Sequence, residues 1–180
     1  ADSGSVRVDG ATRSADSLTP DNMRSAGLRF VHQDIGIFNG MSVAENFALY
    51  AKYPTTPGGR VEWRQLRSYV TEILERFEIN ASPSTPVNQL RPASQTMLAI
   101  ARALHDSPSG TRILVLDEPT AALPTHEAEE LIAALRRRAS AGQTIMFVGH
   151  RLREIAALAD DITVLRDGQV ADYGNASDLS

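Results

Sequence analysis

The 180-residue sequence contains no cysteine, which excludes disulfides and thiolate metal sites. Lysine is almost missing as well: seventeen of the eighteen basic residues are Arg, and Lys52 is the exception. No apolar run approaches the length that a membrane span requires, so any work at a membrane would go through a partner. Positive charge is not in excess. The formal net charge is -4, which leaves a nucleic-acid partner without a basic footprint. Also absent is the pattern Gly-x-x-x-x-Gly-Lys-Ser/Thr, since Lys52 lies between Ala51 and Tyr53. The remaining composition is ordinary for one globular domain: 42% hydrophobic and 22% charged residues, in a chain long enough to bury a core.

The order of patterns suggests a fold class. Ser5-Val6-Arg7-Val8-Asp9-Gly10 alternates at period two and ends in a turn dipeptide, as a strand does. Gly27 to His32 reads as a second short strand. Trp63, Leu66, Val70, Ile73 and Phe77 recur at steps of three and four, the apolar face of a helix. Breaker clusters at Pro54–Gly59 and Ser82–Pro86 bound it. A further helix is predicted over Ser94–Leu104, with Met97, Ile100, Ala101 and Leu104 on one face.

From Thr111 onward strand and helix patterns alternate. Ile113-Leu114-Val115-Leu116 and Thr144-Ile145-Met146-Phe147-Val148 have the continuous apolar character of strands buried on both faces. Between them Ala128, Leu131, Ile132 and Leu135 form a helical stripe. Glu127, Glu129 and Glu130 stand in its first turn and Arg136, Arg137 and Arg138 in its last, an order that suits the helix dipole. A helix through Leu158 comes next. Then Ile162–Leu165 and Gln169–Ala171 flank Asp167-Gly168, a hairpin signal. The alternation implies an α/β fold around a parallel sheet.

Chemistry-bearing residues gather where predicted strands end. Asp117 and Glu118 come directly after the apolar run Ile113–Leu116, at the strand end where ligands bind in open α/β sheets. In P-loop ATPases an acid here holds Mg²⁺ and a neighbouring group positions the attacking water; a strand cap before the Pro119 turn is the plainer alternative. His150 ends the next predicted strand and emerges on the same edge, as a phosphate sensor or as a merely solvated histidine. Gln33, after the second predicted strand, could reach a metal or water, or be an ordinary loop glutamine.

Taken together, Leu116-Asp117-Glu118-Pro119-Thr120, Ala121-Ala122-Leu123-Pro124, Gln33, His150 and Leu98-Ala99-Ile100-Ala101-Arg102-Ala103-Leu104 resemble ATP-binding-cassette (ABC) ATPase domains. They look like the Walker B motif, D-loop, Q-loop, switch histidine and post-signature helix. His150-Arg151-Leu152-Arg153-Glu154-Ile155, Val164–Gln169, Val31–Asp34 and Met41–Asn46 are most similar to the first cassette of monosaccharide importers.

The resemblance implies a P-loop-NTPase-like parallel core with N-terminal antiparallel strands and a helical subdomain. Residues 1–35 would run to the Q-loop, 36–106 form the helical subdomain, and 107–180 hold the Walker B to switch-histidine core and terminal hairpin. It also implies ATP and Mg²⁺ as cofactors, with Asp117 and Gln33 on the metal, Glu118 as general base and His150 at the γ-phosphate. Partners would be transmembrane permease subunits and a second cassette, fused or dimeric, on the inner face of the cell membrane. Ile35, Ile37 and Phe38 would lie near the permease or pack inside the helical block. The rival functions are a non-transport cassette ATPase, which would co-purify with ribosomes or DNA, and a silent regulatory module.

Two departures accompany the resemblance. The family signature Leu-Ser-Gly-Gly-Gln stands here as Leu90-Arg91-Pro92-Ala93-Ser94. Pro92 has no N–H for an anion, while Arg91 can still pair with phosphate. Arg91 and Ser94 are therefore candidate nucleotide contacts in a weakened half-site. The second departure is the missing lysine loop. By the family's order it would precede Ser3-Gly4-Ser5-Val6, so the domain is expected to be truncated at the N-terminus; a pseudo-ATPase is the alternative. Either way the sequence predicts no ATP turnover by these residues alone. It also predicts an exposed apolar sheet edge that favours self-association.

Overall fold

The apolar run Ile113–Leu116 becomes the centre of a parallel sheet in the computed structural model, which describes residues 3–8, 10–32, 35–49, 55, 60–105 and 113–176. Strand β1 (Ser5–Val8) pairs antiparallel with β2 (Ala11–Ser14). The short helix α1 (Pro20–Ser25) comes next. Pro20 opens it, and Thr19 caps it by accepting the Asn22 N–H, the arrangement favoured at helix starts. Strand β3 (Leu28–Val31) then enters the main sheet.

Helices α2 (Val43–Ala48), α3 (Trp63–Arg76) and α4 (Pro92–His105) lie between β3 and β4 (Ile113–Asp117). After β4 come α5 (Thr125–Ser140), β5 (Thr144–Val148) and α6 (Leu152–Leu158). The antiparallel pair β6 (Asp161–Arg166) and β7 (Gln169–Asn175) closes the described chain. Asp167 and Gly168 both have positive φ, 52° and 75°, the turn geometry that matches strand twist.

The main sheet has the order β3-β4-β5 among the described residues, with both pairs parallel. One apolar cluster spans Val31 of β3, α2, α3, α4, Leu114 and Leu116 of β4, α5 and Leu158. The predicted α5 stripe holds: Ala128, Leu131, Ile132 and Leu135 are all buried. Gly142, just past the helix, has φ 96°, a conformation that favours glycine.

Two expectations change. Helix α4 starts at Pro92 rather than Ser94, and it buries Thr96 through Ala101 without interruption rather than one face. It is enclosed between α3, α5 and β3, so an all-round apolar surface suits it. Strand β5 is not buried on both faces. Ile145 and Phe147 pack toward the core, whereas Met146 is 58% and Val148 43% exposed. Among the described residues β5 has β4 as its one neighbour, so its apolar run belongs to an edge. Strand β2 and helix α1 carry no clear periodic signal in the sequence and emerge only in the structure.

Tertiary capping holds the start of α4. Its second residue, Ala93, donates its buried N–H to Glu127 Oε2 of α5 at 2.7 Å. Glu127 is 6% exposed, and the carboxylate meets the positive end of the helix dipole. Local capping serves α2 instead. The Ser42 hydroxyl accepts the Glu45 N–H, and Glu45 accepts the Ser42 N–H at 2.7 Å. Hydrogen bonds from the Ser42 hydroxyl and backbone N–H hold the Glu45 carboxyl below its ordinary range. The cap is therefore complete above the ordinary glutamate pKa and is lost as pH falls through the lowered value.

Glu127→Ala leaves the buried Ala93 N–H without its acceptor. The expected loss of stability is about 1–3 kcal/mol, read as a lower urea midpoint with an unchanged slope; an unshifted midpoint would show that the cap contributes nothing. The exposed β5 edge is expected to drive concentration-dependent self-association. Light-scattering mass should therefore rise with concentration, and Met146→Lys should return it toward the monomer value.

Candidate active site

Parallel pairing decides which side chains meet. Val31 pairs with Leu116, and Asp117 with Val148, so β3, β4 and β5 all release the chain at one edge. Leu114, Val115 and Leu116 are buried, and Asp117 at the strand end is exposed. The ladder runs one residue further than the strand: the Glu118 N–H donates to the Val148 carbonyl at 2.9 Å.

Glu118 has φ 48°, a left-handed conformation costing roughly 1–2 kcal/mol in a residue with a Cβ. Backbone strain of this kind clusters at functional sites. The bend turns the side chain toward the β5 exit, where Glu118 Oε1 lies 3.1 Å from His150 Nδ1. The pair is open to solvent, 35% and 65% exposed at the side chains, so a ligand can reach both. Gly149 supplies the tight step between β5 and His150, since a Cβ there would stand 2.7 Å from the Phe147 ring.

The edge thus brings together Asp117, Glu118 and His150. Gln33 lies outside the described residues. The segment beyond it is anchored: Arg102 of α4 donates to the carbonyls of Ile35 and Gly36 at 3.0 and 2.8 Å. Ile35 and Ile37 pack against the core cluster, which supports the packing alternative for those two. Phe38 is 49% exposed. Its backbone N–H and carbonyl both bond the buried Asn46 side chain, at 2.9 and 3.0 Å.

Arg91 stands just before α4, where it meets the first turns of α5, and Ser94 lies in the first turn of α4. Pro92 takes the first helical position, where a missing N–H is harmless. The next N–H is the one Glu127 occupies. Arg91 is paired with Glu130 at 2.9 Å, and its hydrogen bond to that carboxylate raises its pKa further. Carboxylates of the chain itself therefore occupy two of the groups an anion would use at this helix start, the Ala93 N–H and the Arg91 guanidinium.

Three residues escaped the sequence reading as site elements. Glu127 reads as a dipole-compensating first-turn acid, and only the α4–α5 packing shows its second partner. Thr120 and Glu154 are hydrogen-bonded at 2.5 Å across 34 residues, a contact with no local sequence signal.

A cation of the Mg²⁺ type takes one or two carboxylates and completes its shell with water and phosphate oxygens. Asp117, exposed at the strand end, fits that donor set. Among the described residues no group of three or more His, Asp or Glu forms a metal cage, and none is needed for such binding. No helix among the described residues is long and apolar enough to cross a membrane.

Comparison with known proteins agrees with the motif order. The chain is 40% identical over 181 residues to the ribose import ATP-binding protein RbsA 2 of Rubrobacter xylanophilus, covering 99% of this chain and 33% of that protein. It is 34% identical over 162 residues to the ribose import ATP-binding protein RbsA of Rhodopirellula baltica, covering 90% and 31%. The chain thus spans about a third of the length of these curated relatives. A solved dimeric structure of a post-hydrolysis state of the ATP-binding cassette MJ0796, bound to ADP and Pi, shares the fold. It superposes with a TM-score of 0.69 at 23% identity, over 96% of this chain and 73% of that one. Residues 1–121 match the sequence model described as ABC transporter, and by that match and these identities the chain belongs to the ABC transporter family.

Proposed function

We propose that this chain contributes the Walker B, switch-histidine and Q-loop side of an ATP site, in a cassette that energises uptake of a sugar. The observation that carries the reading is the Glu118–His150 contact of 3.1 Å beside Asp117, at the C-terminal edge of a parallel sheet. Asp117 and Gln33 would hold Mg²⁺, which supplies charge neutralisation at the transferring phosphoryl group. Glu118 accepts the proton of the attacking water, acting as general base. Glu118 would hold the His150 ring at Nδ1, and in the imidazolium form the Nε2–H would donate to the γ-phosphate. ATP and Mg²⁺ are the cofactors of this scheme.

The relatives named as ribose import ATP-binding proteins support the sugar class and an importer's partners. Those partners are transmembrane permease subunits and a second cassette, placing the chain on the inner face of the membrane. Phe38 and Leu49, 49% and 51% exposed near the end of β3 and beside α2, offer apolar contacts for a permease. Residues 1–35, 36–106 and 107–180 act in this scheme as the entry strands, the permease-facing helical unit and the catalytic core.

A silent cassette is the second reading, and the start of α4 favours it. Pro92 offers no N–H, and Glu127 and Glu130 occupy the Ala93 N–H and the Arg91 guanidinium there.

Two measurements separate the readings. In a polypeptide that joins this chain to a P-loop, Glu118→Gln keeps the size of the side chain and removes the base. ATPase turnover should fall by roughly 10²–10⁴-fold with nucleotide binding retained, while the 180 residues alone match a protein-free blank. Unchanged turnover would end the general-base assignment. In the same polypeptide, Arg91→Ser with Pro92→Gly should raise the ATPase rate if the half-site is merely weakened; no rise supports the silent cassette.

A further inference from the structure

Glu154 joins the two loops that carry the catalytic candidates. Its Oε2 accepts the Thr120 hydroxyl at 2.5 Å, and its Oε1 accepts Arg151 Nη1 at 3.0 Å. Thr120 is two residues beyond Glu118, and Arg151 is next to His150. Thr120 is 4% exposed, and the Glu154 side chain is 13% exposed. An exposed i,i+3 ion pair contributes little, but this carboxylate is largely withdrawn from water and also serves a buried hydroxyl.

The need for such a tie comes from the backbone. Regular pairing between β4 and β5 ends at Asp117 and Val148, with one more bond from Glu118 N–H. Past that point the Glu118 turn is left-handed and the β5 exit passes through Gly149. Neither loop is held by the sheet. The Glu118 turn is closed by its own bonds, Ala121 N–H to Glu118 O and Leu123 N–H to Thr120 O. The other loop leads into α6, whose first turn contains Glu154 and whose Glu154 N–H bonds the Arg151 carbonyl at 3.0 Å.

We infer that Glu154 is a positioning residue: by sharing its carboxylate between Thr120 and Arg151 it sets the separation of Glu118 and His150. The inference rests on the proposed function for the roles of those two residues, but the separation itself is measurable without nucleotide. Near-attack geometry is sensitive to displacements of this kind, since about 1 Å can change a rate by roughly 100-fold.

The test reads the His150 ring by ¹⁵N NMR in the 180-residue chain, at alkaline pH where the tautomer reports the Nδ1 contact. The chain has four histidines, and loss of one signal set in His150→Gln assigns the ring. A carboxylate acceptor favours the Nδ1–H tautomer. Glu118→Gln should move the signals toward the ordinary mixture, and Glu154→Ala should move them in the same direction. Thr120→Val should do likewise, and the Thr120→Val/Glu154→Ala pair should add little to either alone. Glu154→Gln, which keeps an oxygen acceptor, should restore much of the parent spectrum.

His150 signals unchanged in folded Glu154→Ala or, should that variant not fold, in Thr120→Val overturn the inference. In a polypeptide that includes a P-loop, Glu154→Ala should lower kcat by on the order of 10- to 100-fold with KM nearly constant. Moved His150 signals with unchanged kcat would sink the ATPase roles of Glu118 and His150 while leaving the positioning intact.

Discussion

The parallel ladder of β4 with β3 and β5 is the constraint on which the rest of the molecule depends. Parallel register sends three strand ends to one edge, and no antiparallel arrangement of the same strands would do so. The Glu118 N–H to Val148 bond extends that register by one residue, into a turn whose left-handed backbone needs outside support. Side chains separated by 32 residues then meet at hydrogen-bond distance. The buried aliphatic residues Leu114 and Leu116 fix the strand in depth, so the acids after them reach water.

Helix α4 gives the ladder its companion. It is buried almost all round, and its two ends are tied to different parts of the molecule. Glu127 caps its start from α5, and Arg102, in its last turn, holds the carbonyls of Ile35 and Gly36 beyond β3. This 14-residue helix thus connects the segment at Leu90–Arg91 to the one just past Gln33. Movement at either end has to pass through packed side chains, which have discrete arrangements rather than a continuum of them.

Arginine does much of this tying. Arg29 donates to the Arg24 and Leu28 carbonyls, Arg136 to Leu158, and Arg138 to Arg76. These are carbonyls of strand β3 and of the last turns of α1, α3 and α6. The Arg138 guanidinium also lies 3.6 Å from the Phe77 ring centroid, and burial lowers its pKa. A planar fork can bridge two acceptors and stack on a ring at once, which an ammonium group does less well. The preference for Arg over Lys in the composition therefore has structural employment in this fold.

Much of this was legible in the sequence, because short-range pattern and strand-end chemistry are written locally. The α5 stripe, the α3 stripe from Leu66 to Phe77 (Trp63, its first member in the sequence, is 44% exposed), the Asp167-Gly168 hairpin and the apolar β4 run all arise from local spacing. The convergence of Asp117, Glu118 and His150 was also readable, since a parallel sheet has one C-terminal edge. Tertiary structure alone decided the rest. An exposed apolar edge was expected, but the run Thr144–Val148 does not say that it is the strand with a single neighbour, so the exposure of Met146 and Val148 was hidden. Nor does a first-turn glutamate announce that it caps another helix, as Glu127 does, or a helix-surface glutamate that it spans two loops, as Glu154 does. Such contacts join residues 34 positions apart, and only the packing of one element on another brings their atoms within reach.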